Sequence, residues 1–231
     1  MGGNKIIGIL TSIIIVCAIS LIFMYESIER KKENVFIEFQ YIRYAESICN
    51  DVKNDVTDII SEIQIKMEEQ RKESEIINNM IAISGNKISE SEATEMLKII
   101  RYYANKYEFD EFLILGMVAQ ESRFSNTAKS KADARGLMQI TPIALNDFNN
   151  TNETFFTIED LKDSTINIMI GCWTLNRQKR YLNSDDLSDC IISYNSGATN
   201  FKNNKDDYKA SYSYLDKVNY FKDVFLGNKT I

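Results

Sequence analysis

The sequence contains no histidine among its 231 residues, and this absence removes whole classes of active site. No catalytic triad can use an imidazole base, and no zinc ion can be held by histidine. Acid–base chemistry must therefore come from Asp, Glu, Lys, Tyr or Cys side chains. Proline occurs once, at Pro142, and it stands in the stretch that carries the candidate chemistry.

Cysteine is also scarce. The four cysteines, Cys17, Cys49, Cys172 and Cys190, include no Cys-x-x-Cys pair. This spacing does not support a zinc ribbon or a thioredoxin-type centre, and we expect no metal and no cofactor. Cys172 and Cys190 could pair if their helices meet. The favoured interpretation is that both are small core side chains, because free cysteine is commonly buried.

A strongly basic surface is missing as well. The net charge is −6, and no stretch of the chain forms a basic stripe. Nucleic acid is therefore not an expected partner. The length is sufficient for one globular domain with extensions.

Residues 6–25 form an uncharged apolar run. As a helix this run would span about 30 Å, the thickness of the hydrocarbon core of a bilayer. A cleaved signal peptide is the alternative, but its apolar region is usually only about 7–15 residues long. We favour an uncleaved, single-pass membrane anchor, with residues 1–25 forming the anchor and a short N-terminal tail.

Residues 26–84 contain neither glycine nor proline, and their apolar residues recur in steps of three and four, the period of one helix face. We predict a long amphipathic helix, with residues 26–87 forming a helical stalk. Glu46 and Lys53 interrupt a strict heptad. Two alternatives stay open: pairing with another copy or an envelope protein, or folding back on the C-terminal domain. The apolar face comprises Val35, Phe39, Ile42, Ala45, Cys49, Val52, Val56, Ile59 and Ile63.

The remainder, residues 88–231, reads as an all-α domain. Ser89 and Glu92 fit a capping box, and Asp110 fits the N-cap of a helix that is apolar nearly all round and therefore central. No segment alternates as a strand, so we expect at most a small irregular β element within 125–140. Further helices are predicted at 141–149, 158–182, 185–194 and 214–226.

Glu121 is the candidate catalytic residue because it ends this apolar helix. Apolar surroundings and the negative end of the helix dipole both raise the pKa of a carboxyl group, as a general acid near neutral pH requires. From position alone, a carboxylate that simply reaches solvent at a helix end is the favoured interpretation, and the neighbouring segments change it. Two polar clusters, 136–142 and 192–197, supply further side chains that could face a groove.

Five segments together resemble the lytic transglycosylase family with the goose-type lysozyme-like fold, and they occur in the family's order over about residues 90–226. Two departures stand out: Asp133 replaces a usual glycine and Ser196 a usual alanine. The matching segments are Glu121-Ser-x-Phe124, Ser130 with Ala134-Arg-Gly-Leu-Met-Gln-Ile-Thr-Pro142, Asn167-Ile-Met-Ile-Gly171, Ser193-Tyr-Asn-Ser-Gly197 and Tyr214-Leu-Asp-Lys-Val218.

The resemblance implies a lysozyme-like catalytic domain that cleaves the β-1,4 bond between N-acetylmuramic acid and N-acetylglucosamine in peptidoglycan. Glu121 would act first as acid and then as base, leaving a 1,6-anhydromuramic end, and Tyr194 would hydrogen-bond and orient it. Ser130, Met138, Gln139 and Asn195 would line the groove for the glycan strand. A muramidase on the same fold and a non-catalytic wall-binding scaffold protein are the alternatives.

The expected location of this domain conflicts with the charges beside the apolar run. Only Lys5 precedes the run, whereas Arg30, Lys31 and Lys32 follow it, which by the positive-inside rule would place the C-terminal part in the cytoplasm. Peptidoglycan lies outside the cytoplasmic membrane, and long domains translocate largely regardless of local charge. We therefore expect the catalytic domain on the extracytoplasmic side.

Overall fold

The computed structural model describes residues 3–183, 186–203 and 209–231, and the regular structure within these ranges is helical. Two isolated β-bridges, Lys129 to Arg135 and Arg135 to Ile140, are the irregular β element expected within 125–140. The all-α prediction is confirmed. The helices are α1 (Gly3–Ile83), α2 (Glu90–Lys106), α3 (Glu111–Ser122), α4 (Pro142–Asn152), a 3-10 helix (Glu159–Lys162), α5 (Ser164–Leu182), α6 (Leu187–Ser196), α7 (Ala198–Asn203) and α8 (Lys209–Phe225).

Differences from the predicted helices have local causes. The predicted helix at 158–182 is divided, because Asp163 caps a new helix by accepting a hydrogen bond from the backbone N–H of Ile166. The last predicted helix begins earlier, at Lys209. The predicted start of α6, residue 185, lies outside the described residues.

The chain divides into two compact units, Met1–Glu68 and Glu69–Ile231. The first unit is helical throughout its described length, and its side chains from Ser12 onward are exposed. One apolar segment in the described part of α1 is long enough and apolar enough to cross a membrane.

The second unit includes the final turns of α1. Ile76, Ile77, Met80 and Ile83 are buried in its core, and Asn79 donates a hydrogen bond to the carbonyl of Val224. Four core side chains of this unit therefore come before residue 87, the predicted domain boundary. The division into a stalk at 26–87 and a catalytic domain at 88–231 stays a prediction. A fragment that begins after Ile83 would lose four core side chains.

Helix caps in the second unit follow the sequence signals. Ser89 Oγ accepts from the N–H of Glu92 at 3.2 Å, and Glu92 Oε2 accepts from the N–H of Ser89 at 2.8 Å, which completes the predicted capping box. Asp110 caps α3 through the N–H of Phe112 at 3.0 Å. Cys172 and Cys190 are buried as free thiols, in agreement with the favoured interpretation.

Helix α3 is the centre of the second unit. All residues from Leu113 to Ala119 are buried, and α8 packs closely along one side of the helix. Gly116 allows this approach, because a Cβ atom there would lie 2.6 Å from the carbonyl oxygen of Val218. The packing of α3 against α8 sets the position of the helix end that carries Glu121.

We predict that Gly116→Ala destabilises the second unit by about 1–3 kcal/mol, because the added methyl group must push the α8 backbone away. Thermal unfolding of the full chain, followed by the fluorescence of Trp173, the single tryptophan, would measure the change. The exposed Glu95→Ala substitution on α2 is the control and should stay within about 0.5 kcal/mol. Equal melting temperatures for the two variants would contradict this view of the packing.

Candidate active site

The Glu121 side chain lies in the last turn of α3, largely shielded from water. Burial raises the pKa of its carboxyl group from 4.5 to about 7, and a hydrogen bond from Tyr214 partly opposes that rise. The Tyr214 hydroxyl donates to Glu121 Oε1 at 2.6 Å. A carboxyl group with a pKa near 7 is present in both protonation states at neutral pH, so it can give and accept a proton.

The chain reverses sharply just after Glu121. Arg123 and Phe124 both adopt left-handed backbone conformations, with φ of 50° and 60°. Phe124 is fully buried and packs edge-on against Phe225, with the ring centroids 6.0 Å apart. The buried aromatic ring holds the turn, and Glu121 therefore stays at the end of the helix.

The loop that follows is held in shape by Ser130. Its hydroxyl oxygen accepts hydrogen bonds from the N–H groups of Ala132 at 3.2 Å and Ala134 at 3.1 Å. These contacts assign Ser130 a role in forming the loop. Its predicted contact with the glycan stays a prediction.

Asp133 stands where the resembled family has glycine, and it adopts the left-handed conformation with φ of 63°. Its carboxylate pairs with Lys129 at 3.1 Å and with Arg135 at 2.8 Å. The hydrogen bond from Lys129, assisted by Arg135, lowers the pKa of Asp133. Asp tolerates a positive φ better than most residues, so the ion pairs and this tolerance together preserve the turn.

Asn167 connects this loop to α5. Its side chain is fully buried, accepts from the N–H of Met138 at 2.8 Å and donates to the carbonyls of Arg135 at 2.9 Å and Leu161 at 2.8 Å. Gly136 must lack a side chain here, because a Cβ atom would lie 2.1 Å from Asn167 Nδ2. The Gly-Leu-Met-Gln segment and the Asn-x-x-x-Gly helix therefore interlock.

Met138 does not line a groove, and this corrects the sequence prediction. The side chain is fully buried, because it fills the space above Gly171, where a Cβ atom would lie 2.2 Å from the Met138 sulfur. Its peptide group is held on both sides, since the Tyr194 hydroxyl donates to its carbonyl at 2.8 Å. Met138 thus anchors the loop from within the core.

The hydrogen bond expected between Tyr194 and Glu121 is also corrected. Tyr194 donates to Met138, and the phenol that meets Glu121 belongs to Tyr214 on α8. Tyr194 lies close enough to Glu121 that the carboxylate charge, after burial, contributes to raising the pKa of the phenol. Sequence reasoning did not assign Tyr214 a role, although this residue opens the last of the five matching segments.

A cleft on the surface of the second unit brings together three of the predicted residues. Gln139, Tyr194 and Asn195 line it, and Gln139 is steadied by donating to the carbonyl of Gly136 at 2.9 Å. Asp147 also lines the cleft, but it forms an ion pair with Arg177. The other lining residues are Ile140, Thr141, Ile143, Ala144, Trp173, Thr174, Arg177, Gln178, Ser196, Gly197, Thr199 and Asn200.

Known proteins resemble the chain in both sequence and fold. The membrane-bound lytic murein transglycosylase C of Haemophilus influenzae (strain PittEE) is 34% identical over 154 residues, which cover 56% of this chain and 40% of that protein. The protein of the same name from Mannheimia succiniciproducens is 44% identical over 50 residues, which cover 22% of this chain and 14% of that protein. The chain thus spans less than half the length of these relatives.

A solved structure shows the same fold. The inactive mutant of lytic transglycosylase Slt from Pseudomonas aeruginosa superimposes with a TM-score of 0.51 at 17% identity, covering 65% of this chain and 28% of that one. In sequence, residues 98–216 match the family described as the transglycosylase SLT domain, and this range is just over half of the chain. The chain therefore belongs to the transglycosylase SLT domain family.

Proposed function

We propose that this protein is a membrane-anchored peptidoglycan lytic transglycosylase. It would cleave the β-1,4 bond between N-acetylmuramic acid and N-acetylglucosamine and leave a 1,6-anhydromuramic end. One observation carries the proposal: in a chain of this family, the shielded carboxyl group of Glu121 has its pKa raised to about 7 and is held by a phenol donor.

The proposed chemistry uses Glu121 twice. In its protonated form it donates the proton to the glycosidic oxygen as the bond to the leaving sugar breaks. The resulting carboxylate then takes the proton of the C6 hydroxyl, whose oxygen closes the anhydro ring. The substrate's own N-acetyl group replaces a second catalytic carboxylate, an established exception among glycosidases.

Tyr214 would keep the carboxyl group aligned during both steps. Its hydroxyl donates a hydrogen bond to Oε1 of Glu121, so Oε2 is left to interact with the substrate. Burial, together with the nearby Glu121 charge, raises the pKa of Tyr214 well above its usual range, so the phenol remains a proton donor. Tyr194 would act as a positioning residue through the carbonyl of Met138, and Gln139 and Asn195 would contact the glycan strand.

A muramidase is the alternative on the same fold, and it would need a base to activate water. Asp133 and Asp147 are the carboxylates that the sequence offers near the groove. Asp133 is paired with Lys129 and Arg135, and Asp147 with Arg177. These ion pairs engage both carboxylates with cations, so the arrangement favours the reaction that needs only Glu121.

We expect digestion of purified peptidoglycan by the full chain in detergent to yield 1,6-anhydromuropeptides, because the Glu121 carboxylate takes the proton of the C6 hydroxyl, whose oxygen then closes the anhydro ring. Mass spectrometry of the products distinguishes these ends from reducing ends. Glu121→Gln should lower turnover by about 10²–10⁴-fold or more, since general acid–base help is worth that factor and one group serves both steps. Reducing ends as the main product would establish the muramidase instead.

We expect Tyr214→Phe to shift the alkaline limb of the pH profile of kcat/KM to higher pH and to lower kcat. The hydrogen bond from Tyr214 lowers the pKa of Glu121, so its removal must raise that pKa further. Tyr194→Phe is the matched control, because its hydroxyl bonds to Met138 and its loss should reduce turnover without that shift. A shift in the Tyr194 variant alone would reassign the orienting role to Tyr194.

The location of the catalytic unit is part of the proposal. A membrane anchor is supported by the apolar segment in α1 and by a relative named as membrane-bound. We expect protease added to cells with a permeabilised outer envelope and a sealed cytoplasmic membrane to digest the domain, because its substrate lies outside that membrane. A cytoplasmic reporter protein must stay intact in the same sample. Protection of the domain until detergent is added would place it in the cytoplasm and refute the function.

A further inference from the structure

The first unit of the chain carries an apolar seam that the proposed reaction does not use. Between Ile42 and Ile63, apolar residues recur in strictly alternating steps of three and four, and all of them are exposed. This is the spacing of positions a and d in three successive heptads. The seam consists of Ile42, Ala45, Cys49, Val52, Val56, Ile59 and Ile63.

We propose that this seam joins two copies of the chain in a parallel, in-register coiled coil. In this register Ile42, Cys49, Val56 and Ile63 occupy position a, and the remaining three seam residues occupy position d. The a positions are mainly β-branched, as in parallel two-stranded coiled coils, whereas the d positions, Ala45, Val52 and Ile59, include no Leu.

Glu46 and Lys53 do not interrupt this seam. When positions are counted from Ile42, both fall at position e, at the edge of the interface, and not at a or d. Charged residues are common at e and g, where they flank the apolar core. The seam is therefore continuous over the 22 residues from 42 to 63, about 33 Å of helix.

The membrane anchor indicates that the partner at the seam is a second copy of the chain. This step therefore rests on the anchoring part of the proposed function. Two copies whose residues 6–25 cross one bilayer in the same direction have parallel helices that leave the membrane at the same level. Identical positions then face each other without any sliding. Confinement to the membrane also raises the effective concentration of copies, which helps a seam of only three heptads to pair.

The flanking residues permit this pairing. In a parallel pair, position g of one helix faces position e of the next heptad on its partner. None of the four resulting contacts sets like charges against each other, so these contacts add no local repulsion. The facing residues are Tyr41 and Glu46, Ile48 and Lys53, Asp55 and Ile60, and Glu62 and Met67.

Cysteine cross-linking in native membranes tests the pairing with the full chain. Diamide removes two electrons and two protons from a pair of facing thiols and joins them as a disulfide. In a Cys17→Ala background, Cys49 should yield a covalent dimer, and Cys49→Ser should abolish it. Adding Val56→Cys to the Cys49→Ser chain should restore the dimer, since this residue is one heptad further along position a.

Asn54→Cys in the same Cys49→Ser chain is the matched control, because position f points away from the partner. It should give at least about tenfold less dimer than Val56→Cys, since a disulfide needs Cβ atoms within about 4.5 Å. Equal yields at 54 and 56 would indicate random collision and overturn the coiled coil. Cross-linking to a protein of different mass would assign the seam to another partner and overturn self-association.

Two further readouts separate this test from the proposed function. Carbonate extraction of the same membranes reports whether the chain is anchored. A chain that carbonate releases would refute the pairing of two anchored copies in register. Muropeptide analysis of the same preparations reports catalysis. Absence of any seam dimer in an anchored, active chain whose seam thiols still react with maleimide would refute the pairing alone.

Discussion

The close contact between α3 and α8 is the constraint on which the site depends. Gly116 has no side chain, so the two backbones can approach closely at this point. The Tyr214 hydroxyl then reaches the Glu121 carboxyl, and Phe225 reaches the ring of Phe124. One contact thus supplies the donor for the candidate acid and closes the turn that follows it.

Two opposing effects set the protonation of Glu121. Burial favours the neutral carboxyl, and the hydrogen bond from Tyr214 favours the carboxylate. The pKa rises from 4.5 to about 7, so burial outweighs the hydrogen bond, by roughly 3 kcal/mol. Because the folded-state pKa is raised, the stability from this group is present below about pH 4.5 and is lost as the pH rises through about 7. At neutral pH the native state therefore gives up stability to hold a carboxyl group suited to proton transfer.

Much of this architecture follows from local signals in the sequence. The capping box at Ser89, the cap at Asp110 and the apolar surface of α3 all depend on residues within a few positions of one another. The identity of Glu121 as the candidate acid follows from its place at the end of that helix together with the matching segments around it in the sequence. These features need no knowledge of how distant segments meet.

The errors concern contacts between distant segments. Which of two tyrosines reaches Glu121 depends on how α6 and α8 are placed relative to the end of α3, and no local pattern reports that placement. The burial of Met138 depends on the space that Gly171 leaves, 33 residues further along the chain. The final turns of α1 read as part of a long amphipathic helix, and only the packed structure shows which turns enter the core.

The site therefore divides into two parts with separate supports. The ionisation of Glu121 is governed by α3 and α8, through burial and through Tyr214. The position of the Gly-Leu-Met-Gln loop is governed by α5 and α6, because Asn167 holds the N–H of Met138 and Tyr194 holds its carbonyl. The two supports meet where Tyr194 approaches the Glu121 carboxylate. A chain that kept Glu121 but lost Asn167 or Tyr194 would retain its acid and lose the geometry of its cleft, which is a physical reason for these distant segments to occur together.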